Sequence, residues 1–326
     1  MIISRTPLRM SFTGGGSDLP AFYRRFGGAV LSTAIDKYVY VTVNPKFDNG
    51  IRIAYSKNEE VGSVAEIKHY LVKATMEYLD IAGGIEITTV ADIPSRGTGL
   101  GSSSSFTVGL LHALNAFKSS YVSAERLGHD ACHVEIDLCG EPIGKQDQYA
   151  AAFGGFNLIE FQPDDAVVVT PVICAKETIK SIERDTIVFY TGITRSASSL
   201  LKNQSDAVAE DIAKQRTMQR MVALTYTLRD ELQKNNIQAF GEILHENWML
   251  KREMTIGISN SEIDGWYERA RAAGALGGKI LGAGAGGFLM LYAPQHCHAA
   301  IVTALVELRK IPMRFEPMGS RIIFYH

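Results

Sequence analysis

The sequence predicts an α+β fold with two domains, and three observations lead to this prediction. The chain has 326 residues, about twice the length of a common single domain. Segments with strand and helix patterns are mixed along the chain, without the strict β-α-β alternation of a doubly wound parallel sheet. A charged stretch at Lys176–Asp185 follows a strand-like segment, so we predict one domain over residues 1–180 and a second over residues 181–326.

The composition excludes several classes of protein. Lys and Arg total 33 and Asp and Glu total 35, giving a net charge of −2, so a nucleic-acid partner is not expected. Apolar residues make up 46% and charged residues 21%, which is typical of a chain with a full hydrophobic core. No apolar run reaches the roughly 18 residues of a membrane span, and the N-terminal sequence is unlike a signal peptide. The four cysteines form no Cys-x-x-Cys pair, so a reducing, cytoplasmic location is expected.

In the first domain, strand and helix signals follow one another at short intervals. Strands are predicted where β-branched and aromatic residues cluster or alternate with polar residues, at 38–43, 51–55 and 85–93. Helices are predicted where apolar residues recur at three- and four-residue spacing, at 64–79, 106–117 and 127–138. Ser123 is a candidate N-cap for the last of these helices. Around Gly154 the chain turns into strand-like sequence that ends near residue 175.

The second domain shows the same mixture of elements. Strands are predicted at 186–190, 288–292 and 321–325. Helices are predicted at 207–235, 263–273 and 299–309. The mixture within both domains supports the α+β class.

The most informative motif is a Gly/Ser-rich segment at 94–105, between a predicted strand and a predicted helix. Free backbone N–H groups and the helix dipole attract an anion at such a position, and glycines let the backbone approach phosphate oxygens closely. The alternative is a flexible connection, but the strand–glycine–helix order and the apolar anchor Leu100 favour a phosphate-binding loop. The candidate binding residues are Gly97, Thr98, Gly99, Leu100, Gly101, Ser102, Ser103 and Ser104.

Two further segments are dense in glycine. Residues 282–287 match G-x-G-x-x-G but run into an apolar strand, whereas the dinucleotide fingerprint requires a helix. This turn either brings backbone against a ligand or the first loop, or is a structural hairpin. The segment from Gly14 to Asp18 offers backbone and a carboxylate to a polar ligand, or is a bare turn. Neither the P-loop motif nor the protein-kinase motifs occur.

Two carboxylates are candidates for chemistry. Glu135 flanks the apolar stripe of a predicted helix. Asp147 lies beside Lys145 and two glutamines, where a cation favours the ionised form of a general base. A structural role remains the alternative for both. His129 and His133 have no accompanying H-E-x-x-H motif, so a zinc site is not expected.

Three motifs together resemble the GHMP kinases, the superfamily that includes galactokinase, homoserine kinase and mevalonate kinase. They are Thr6 to Arg9 with Gly14 to Asp18, then Gly99 to Ser104, then Lys279 to Gly287. Within the superfamily, the sequences of residues 7–12 and 140–149 are similar to those of the D-glycero-D-manno-heptose 7-phosphate kinases. The resemblance implies an N-terminal domain like ribosomal protein S5 domain 2, a ferredoxin-like C-terminal domain and a site between them.

The resemblance also implies roles for residues. The loop at 97–105 would bind the ATP phosphates, and Ser102 and Glu135 would coordinate Mg²⁺. Asp147 would accept the proton of the sugar hydroxyl, and Arg9 would stabilise charge on the transferred phosphoryl group. The substrate-binding candidates are Gly15, Gly16, Ser17 and Asp18, together with Gly284 of the turn that supports the nucleotide loop.

The implied reaction is phosphorylation of the C1 hydroxyl of D-glycero-D-manno-heptose 7-phosphate, on the way to a GDP-activated heptose for surface polysaccharide. The partner is then a small sugar phosphate, whose 7-phosphate needs a cation: Arg195 is the first candidate and Lys145 the second, although both can equally be surface charges. The galactokinase motif Gly-Glu-His-Thr-Asp is absent at residues 14–18, which argues against galactose as the substrate. The spacing from Pro94 to Gly99 is one residue longer than usual for the family.

Other readings of the sequence remain open. Another sugar 1-kinase of the superfamily, such as an L-fucose kinase, predicts activity without a substrate phosphate. A sugar sensor without catalysis is disfavoured, because it would need neither Asp147 nor Arg9. The decarboxylase branch of the superfamily is disfavoured by the sugar-type segment at 14–18.

Overall fold

The computed structural model describes residues 1–93, 98–193 and 197–326. Two predicted binding residues, Gly97 and Arg195, lie outside the described residues. Helices and strands are mixed in both halves of the chain, so the predicted α+β class is confirmed.

A large sheet forms the first half of the molecule. Its strands are β1 (Ile2–Thr13), β2 (Gly28–Pro45), β3 (Ile51–Ala54), β4 (Asn58–Val61), β5 (Ile85–Ala91), β6 (Phe156–Phe161), β7 (Val167–Pro171) and β12 (Arg321–Tyr325). Within the described residues the order is β12-β1-β2-β5-β3-β4, and β6 joins β2 and β7. The pairs are antiparallel except β3 with β5. The long strand β2 therefore joins both parts of this sheet.

A smaller antiparallel sheet forms the second half. Its strands are β8 (Thr186–Tyr190), β9 (Gly277–Ile280), β10 (Phe288–Tyr292) and β11 (Arg309–Lys310). In the described part of the chain the order is β11-β8-β10-β9. Strands β1 to β7 of the large sheet precede residue 180, whereas β8 to β11 and β12 follow it; the domain boundary stays a prediction. Strand β12 returns to the first sheet and pairs with β1, where it forms one edge of the sheet.

Helices cover both sheets. They are α1 (Pro20–Phe26), α2 (Tyr70–Tyr78), α3 (Ser102–Phe117), α4 (Ala124–Cys132), α5 (Gln146–Phe153), α6 (Lys176–Asp185), α7 (Ala197–Glu210), α8 (Ile212–Gln233), α9 (Gln238–Met254), α10 (Ser261–Ala272) and α11 (His298–Ala304). None of the described helices is both long and apolar enough to cross a membrane.

Several predicted boundaries differ from the structure. The helix predicted at 207–235 is two helices, because Asp211 ends α7 and caps α8 through backbone N–H groups of its first turn. The helix predicted at 127–138 is α4 followed by a π-helical turn, His133–Leu138. The charged stretch Lys176–Asp185 is itself a helix. Strand β1 and helix α9 had no counterpart in the prediction, and both carry residues of the site.

The two larger apolar clusters of the described residues pack the sheets against the helices. One packs the large sheet against α2 and α3 and continues to α8 and α9, with Phe12 contacting Phe240. The other packs against one face of the small sheet and includes Trp248 and Phe189, while the opposite face, with Phe288, belongs to the first cluster. Because α9 contributes to both clusters, apolar packing connects the two sheets across the cleft between them.

Candidate active site

The predicted base and the predicted phosphate-binding loop are joined by Arg9. This residue of β1 is only 2% exposed. Its backbone N–H donates to the Leu100 carbonyl (3.1 Å), and Nη1 donates to the Gly99 carbonyl (2.6 Å). Nε and Nη2 lie 2.8 and 2.7 Å from Oδ1 of Asp147. One guanidinium therefore contacts both Asp147 and the loop and fixes their separation.

The loop ends in the N-terminus of α3. Gly101 is the N-cap residue in the left-handed conformation (φ 74°), and three serines of the first helical turn follow it. Backbone N–H groups of this turn have no partner inside the helix, so they can bind an anion. The side chain of Leu100 is fully buried, as expected for the anchor of the loop.

The second glycine-rich segment packs against this loop. A Cβ atom on Gly99 would lie 2.2 Å from the Leu281 carbonyl oxygen, and one on Gly282 would lie 2.5 Å from Gly99 Cα. A Cβ on Gly287 would lie 2.3 Å from the Thr98 carbonyl oxygen. The turn at 282–287 is therefore in close backbone contact with the loop. Gly284 itself packs against Ile258 instead.

Glu135 lies in the π-helical turn after α4, a local widening that often marks functional positions. Its Oε1 accepts from Ser103 Oγ (3.1 Å) and its Oε2 accepts from Gln148 Nε2 (2.6 Å). Burial raises the pKa of Glu135 to about 7, although hydrogen bonds from Ser104, Gln148 and Ser103 act in the opposite direction. The carboxylate therefore lies directly beside the serines of the loop.

The donor set around Glu135 is compatible with Mg²⁺. The described residues contain no cluster of three or more His, Cys, Asp or Glu side chains that could hold a metal by themselves. Mg²⁺ commonly binds through one or two carboxylates, while waters and substrate phosphates complete its ligands. Glu135 and the Ser102 hydroxyl, which both border the cavity, match this pattern.

Asp18 is buried between the Gly14–Gly16 turn and α5. Oδ1 accepts from Gly16 N (3.0 Å), and Oδ2 accepts from Gln146 N (3.2 Å). A Cβ on Gly144 would lie 1.9 Å from Oδ2, so only glycine allows this approach. Burial, and then the nearby Asp147 carboxylate, raise the pKa of Asp18 above its usual value. Ser17 points away, with its hydroxyl bonded to backbone of Ala29.

These groups border one cavity of about 900 Å³. Both halves of the molecule contribute to it, since Gly282 and Ala283 face residues of the first sheet and its loops. The predicted site residues that it brings together are Arg9, Gly15, Gly16, Asp18, Thr98, Gly99, Gly101, Ser102, Ser103, Ser104, Glu135 and Asp147. Its volume is in the range of small-ligand sites.

Two family models match the sequence, one in each half of the chain. The model of the GHMP kinases N terminal domain matches residues 66–155, and the model of the GHMP kinases C terminal region matches residues 228–302. Together they cover half of the chain. This chain belongs to the GHMP kinase family. It is therefore an ATP-dependent phosphotransferase of the sugar kinase kind, with an alcohol group as acceptor.

Relatives with established names are similar to this GHMP kinase over most of its length. D-glycero-alpha-D-manno-heptose 7-phosphate kinase of Campylobacter jejuni is 28% identical, with 89% of each chain covered. The structure of a D-glycero-D-manno-heptose 1-phosphate kinase from Bacteroides thetaiotaomicron covers both chains completely, with 26% identity and a TM-score of 0.81. A galactokinase from Lactococcus lactis shares the fold at 18% identity, with a TM-score of 0.79 and coverage of 98% and 94%.

Three predicted substrate residues of the kinase, Ser17, Lys145 and Gly284, do not border the cavity. Lys145 forms an ion pair with Asp165 (3.1 Å) and lies over the Tyr23 ring. Gly284 packs against Ile258, while the neighbouring Gly282 and Ala283 face the cavity.

The sequence prediction missed two buried lysines of the kinase, Lys251 on α9 and Lys279 on β9. Lys251 is 4% exposed and borders the cavity; Lys279 is 2% exposed. A signal for Lys251 was present, because it continues the apolar stripe of Phe240, Leu244 and Trp248 at helical spacing. A lysine on the buried face of an amphipathic helix is unusual and marks a position of interest.

Proposed function

We propose that the kinase transfers the γ-phosphoryl group of ATP to the C1 hydroxyl of D-glycero-D-manno-heptose 7-phosphate, giving the 1,7-bisphosphate. The observation that carries this proposal is the arrangement of Asp147 and Asp18 on one cavity wall beside the loop at 98–104. The similarity to the heptose 7-phosphate kinase of Campylobacter jejuni supports the sugar. The product would serve the synthesis of a GDP-activated heptose for surface polysaccharide.

Asp147 is suited to act as the general base. Arg9 occupies Oδ1, and within the described residues no donor bonds to Oδ2. A Cβ on Gly101 would lie 3.2 Å from that oxygen, so Oδ2 faces the end of the phosphate loop, where α3 begins. Oδ2 accepts the proton of the C1 hydroxyl while the sugar oxygen bonds to the γ-phosphorus. The bond from that phosphorus to the bridging oxygen of ADP breaks, and ADP leaves.

The remaining residues hold the reactants. Backbone N–H groups at the start of α3 and the loop bind the ATP phosphates. Arg9 also places positive charge beside the transferred group. Ser102 and Glu135 would hold Mg²⁺, which neutralises phosphate charge when bound. Asp18, fixed by Gly16 and Gln146, accepts hydrogen bonds from sugar hydroxyls.

A panel of acceptors tests the proposal. ADP release is measured with D-glycero-D-manno-heptose 7-phosphate, the corresponding heptose 1-phosphate, the free heptose, mannose, galactose and L-fucose. The 1-phosphate is included because a similar structure carries that name. L-Fucose is included because a bifunctional fucokinase of Arabidopsis thaliana is 25% identical over 88% of this chain and 29% of its own length. Phosphorus NMR of the product locates the new ester.

We expect turnover with the 7-phosphate and a new ester at C1. Turnover only with the 1-phosphate would replace the proposed acceptor position, and turnover only with L-fucose would replace the sugar. Asp147→Asn serves as the control for enzyme-catalysed release. No activity with any sugar of the panel, while ATP still binds, would reject the whole assignment of substrate.

A further inference from the structure

Lys251 and Lys279 differ from Arg9 in having no carboxylate partner. Lys251 Nζ donates to the Gly15 carbonyl (2.8 Å) and to Gln204 Oε1 (2.9 Å). Lys279 Nζ donates to Ser11 Oγ (3.4 Å). Across the described ranges, neither lysine forms an ion pair. An ammonium group has three N–H donors, so Lys251 keeps one donor beyond its two protein acceptors.

Two further buried donors near Lys251 have no acceptor among the described residues. Gln204 Nε2 and Asn247 Nδ2 are buried without an acceptor in the part of the chain that the structure describes. A Cβ on Gly16 would lie 2.0 Å from Gln204 Nε2 and 3.0 Å from Lys251 Nζ, so both donors converge on this glycine. Unpaired buried donors are costly. Their accumulation beside a cavity indicates a ligand that brings acceptor oxygens and negative charge.

Burial lowers the pKa of Lys251 to about 8, although the Asp18 carboxylate acts in the opposite direction. At neutral pH the ammonium form still predominates. The group is therefore a buried cation whose charge is compensated only weakly by the protein.

Hydrogen bonds arrange this cation and the base along one wall. Gln146, next to Asp147, donates to Asp18 Oδ2; Gly16 donates to Asp18 Oδ1. Gly15, next to Gly16, accepts from Lys251. A sugar that places its reacting hydroxyl at Asp147 and other hydroxyls at Asp18 thus extends its far end toward Lys251.

We propose that Lys251 binds the anionic group, a phosphate ester, at the end of the acceptor sugar opposite the reacting hydroxyl. The assignment rests on the proposed function, because it gives the sugar 7-phosphate its cation. It makes Lys251 the residue that distinguishes phosphorylated from unphosphorylated acceptors. Lys145, which is paired with Asp165, is not needed for this role.

The test compares Lys251→Met with wild type on two acceptors, D-glycero-D-manno-heptose 7-phosphate and the unphosphorylated heptose. We expect KM for the 7-phosphate to rise about 10- to 100-fold, the loss of one charged hydrogen-bond partner, with kcat changed much less. KM for the free heptose should stay within about twofold. Lys251→Arg should recover part of the loss. Calorimetric titration with the 7-phosphate in the absence of ATP measures the same loss without turnover.

Lys202→Met is the matched control, because it removes the same charge from an exposed lysine paired with Asp206. Thermal unfolding and ATP binding check that each variant is folded. Equal changes of KM for both acceptors would overturn the inference, as would a selective loss in Lys145→Met but not in Lys251→Met.

Failure of the proposed function looks different from failure of the inference. If wild type phosphorylates another sugar phosphate, the proposed substrate is wrong while the comparison of that sugar with its unphosphorylated form still tests Lys251. If wild type uses only unphosphorylated sugars, both are rejected. If wild type uses the heptose 7-phosphate and Lys251→Met is unaffected, only the inference fails.

Discussion

Buried cations lie at both ends of the cavity wall that runs from Asp147 past Asp18 to Lys251, and the protein compensates their charges in different ways. At one end, Arg9 shares two contacts with a single oxygen of Asp147 and a third with the Gly99 carbonyl. At the other end, Lys251 has only neutral oxygens as acceptors. An isolated buried charge is unfavourable. The charge at the Arg9 end is compensated within the folded chain, and we call this the complete end. The charge at the Lys251 end, the incomplete end, is compensated once an anionic ligand binds. A buried cation without a carboxylate is thus a better indicator of ligand chemistry than one with it.

The largest effect is expected when the complete end is broken. Asp147→Asn removes the oxygen that accepts the proton, so kcat should fall about 10²- to 10⁴-fold, measured as ADP release at saturating acceptor. Asp18→Asn is the companion variant: it weakens hydroxyl binding, so KM for the sugar should rise more than kcat falls. If both variants lower kcat equally and leave KM unchanged, the division of roles between the two aspartates is wrong.

The next effect tests the contact that holds the loop at the complete end. Gly99→Ala places a Cβ 2.2 Å from the Leu281 carbonyl oxygen at φ +75°. The left-handed conformation costs about 1–2 kcal/mol and overpacking adds about 1–3 kcal/mol. We expect a lower melting temperature and a higher KM for ATP.

Gly140→Ala is the matched control for this change. Gly140 has φ +68° and nothing within 4 Å of a Cβ, so it carries the conformational cost alone. Melting temperatures that fall by the same amount in both variants would show that the contact with Leu281 is not important for the loop.

The smallest effect is expected for Lys279, the second of the two buried lysines. Burial, and then Lys251 and Arg9, lower the pKa of Lys279 from 10.5 to about 7. The folded state therefore binds this proton less tightly than the unfolded state. The resulting destabilisation is present in full below about pH 7 and disappears as the pH rises toward 10.5. Lys279→Met should raise the melting temperature by several degrees at pH 6 and by less at pH 9.

Thermal unfolding of both proteins at the two pH values measures this difference. Lys202→Met, on the exposed face of α7, is again the control and should show no such dependence on pH. A Lys279→Met variant that is less stable than wild type at pH 6 would contradict an uncompensated charge at this position.

The residues to which we assign chemical roles could be named from the sequence, because their motifs are local. Strand–glycine–helix order marked the loop, and the resemblance to GHMP kinases assigned roles to Arg9, Asp18, Glu135 and Asp147. The structure brings these residues to one cavity. The cation for the substrate phosphate could not be assigned in this way. Of the two candidates, Arg195 lies outside the described residues, and Lys145 pairs with Asp165, 20 residues away.

The sequence by itself determined the α+β class and the family and located the Gly/Ser-rich loop, since each depends on residues that are close together in the chain. Only the tertiary structure decided what surrounds each charge. Lys251 lies 236 positions from Gly15, whose carbonyl it contacts, and β12 crosses almost the whole chain to pair with β1. Burial and the presence or absence of a counter-ion arise from such distant contacts, so spacing along the chain does not reveal them.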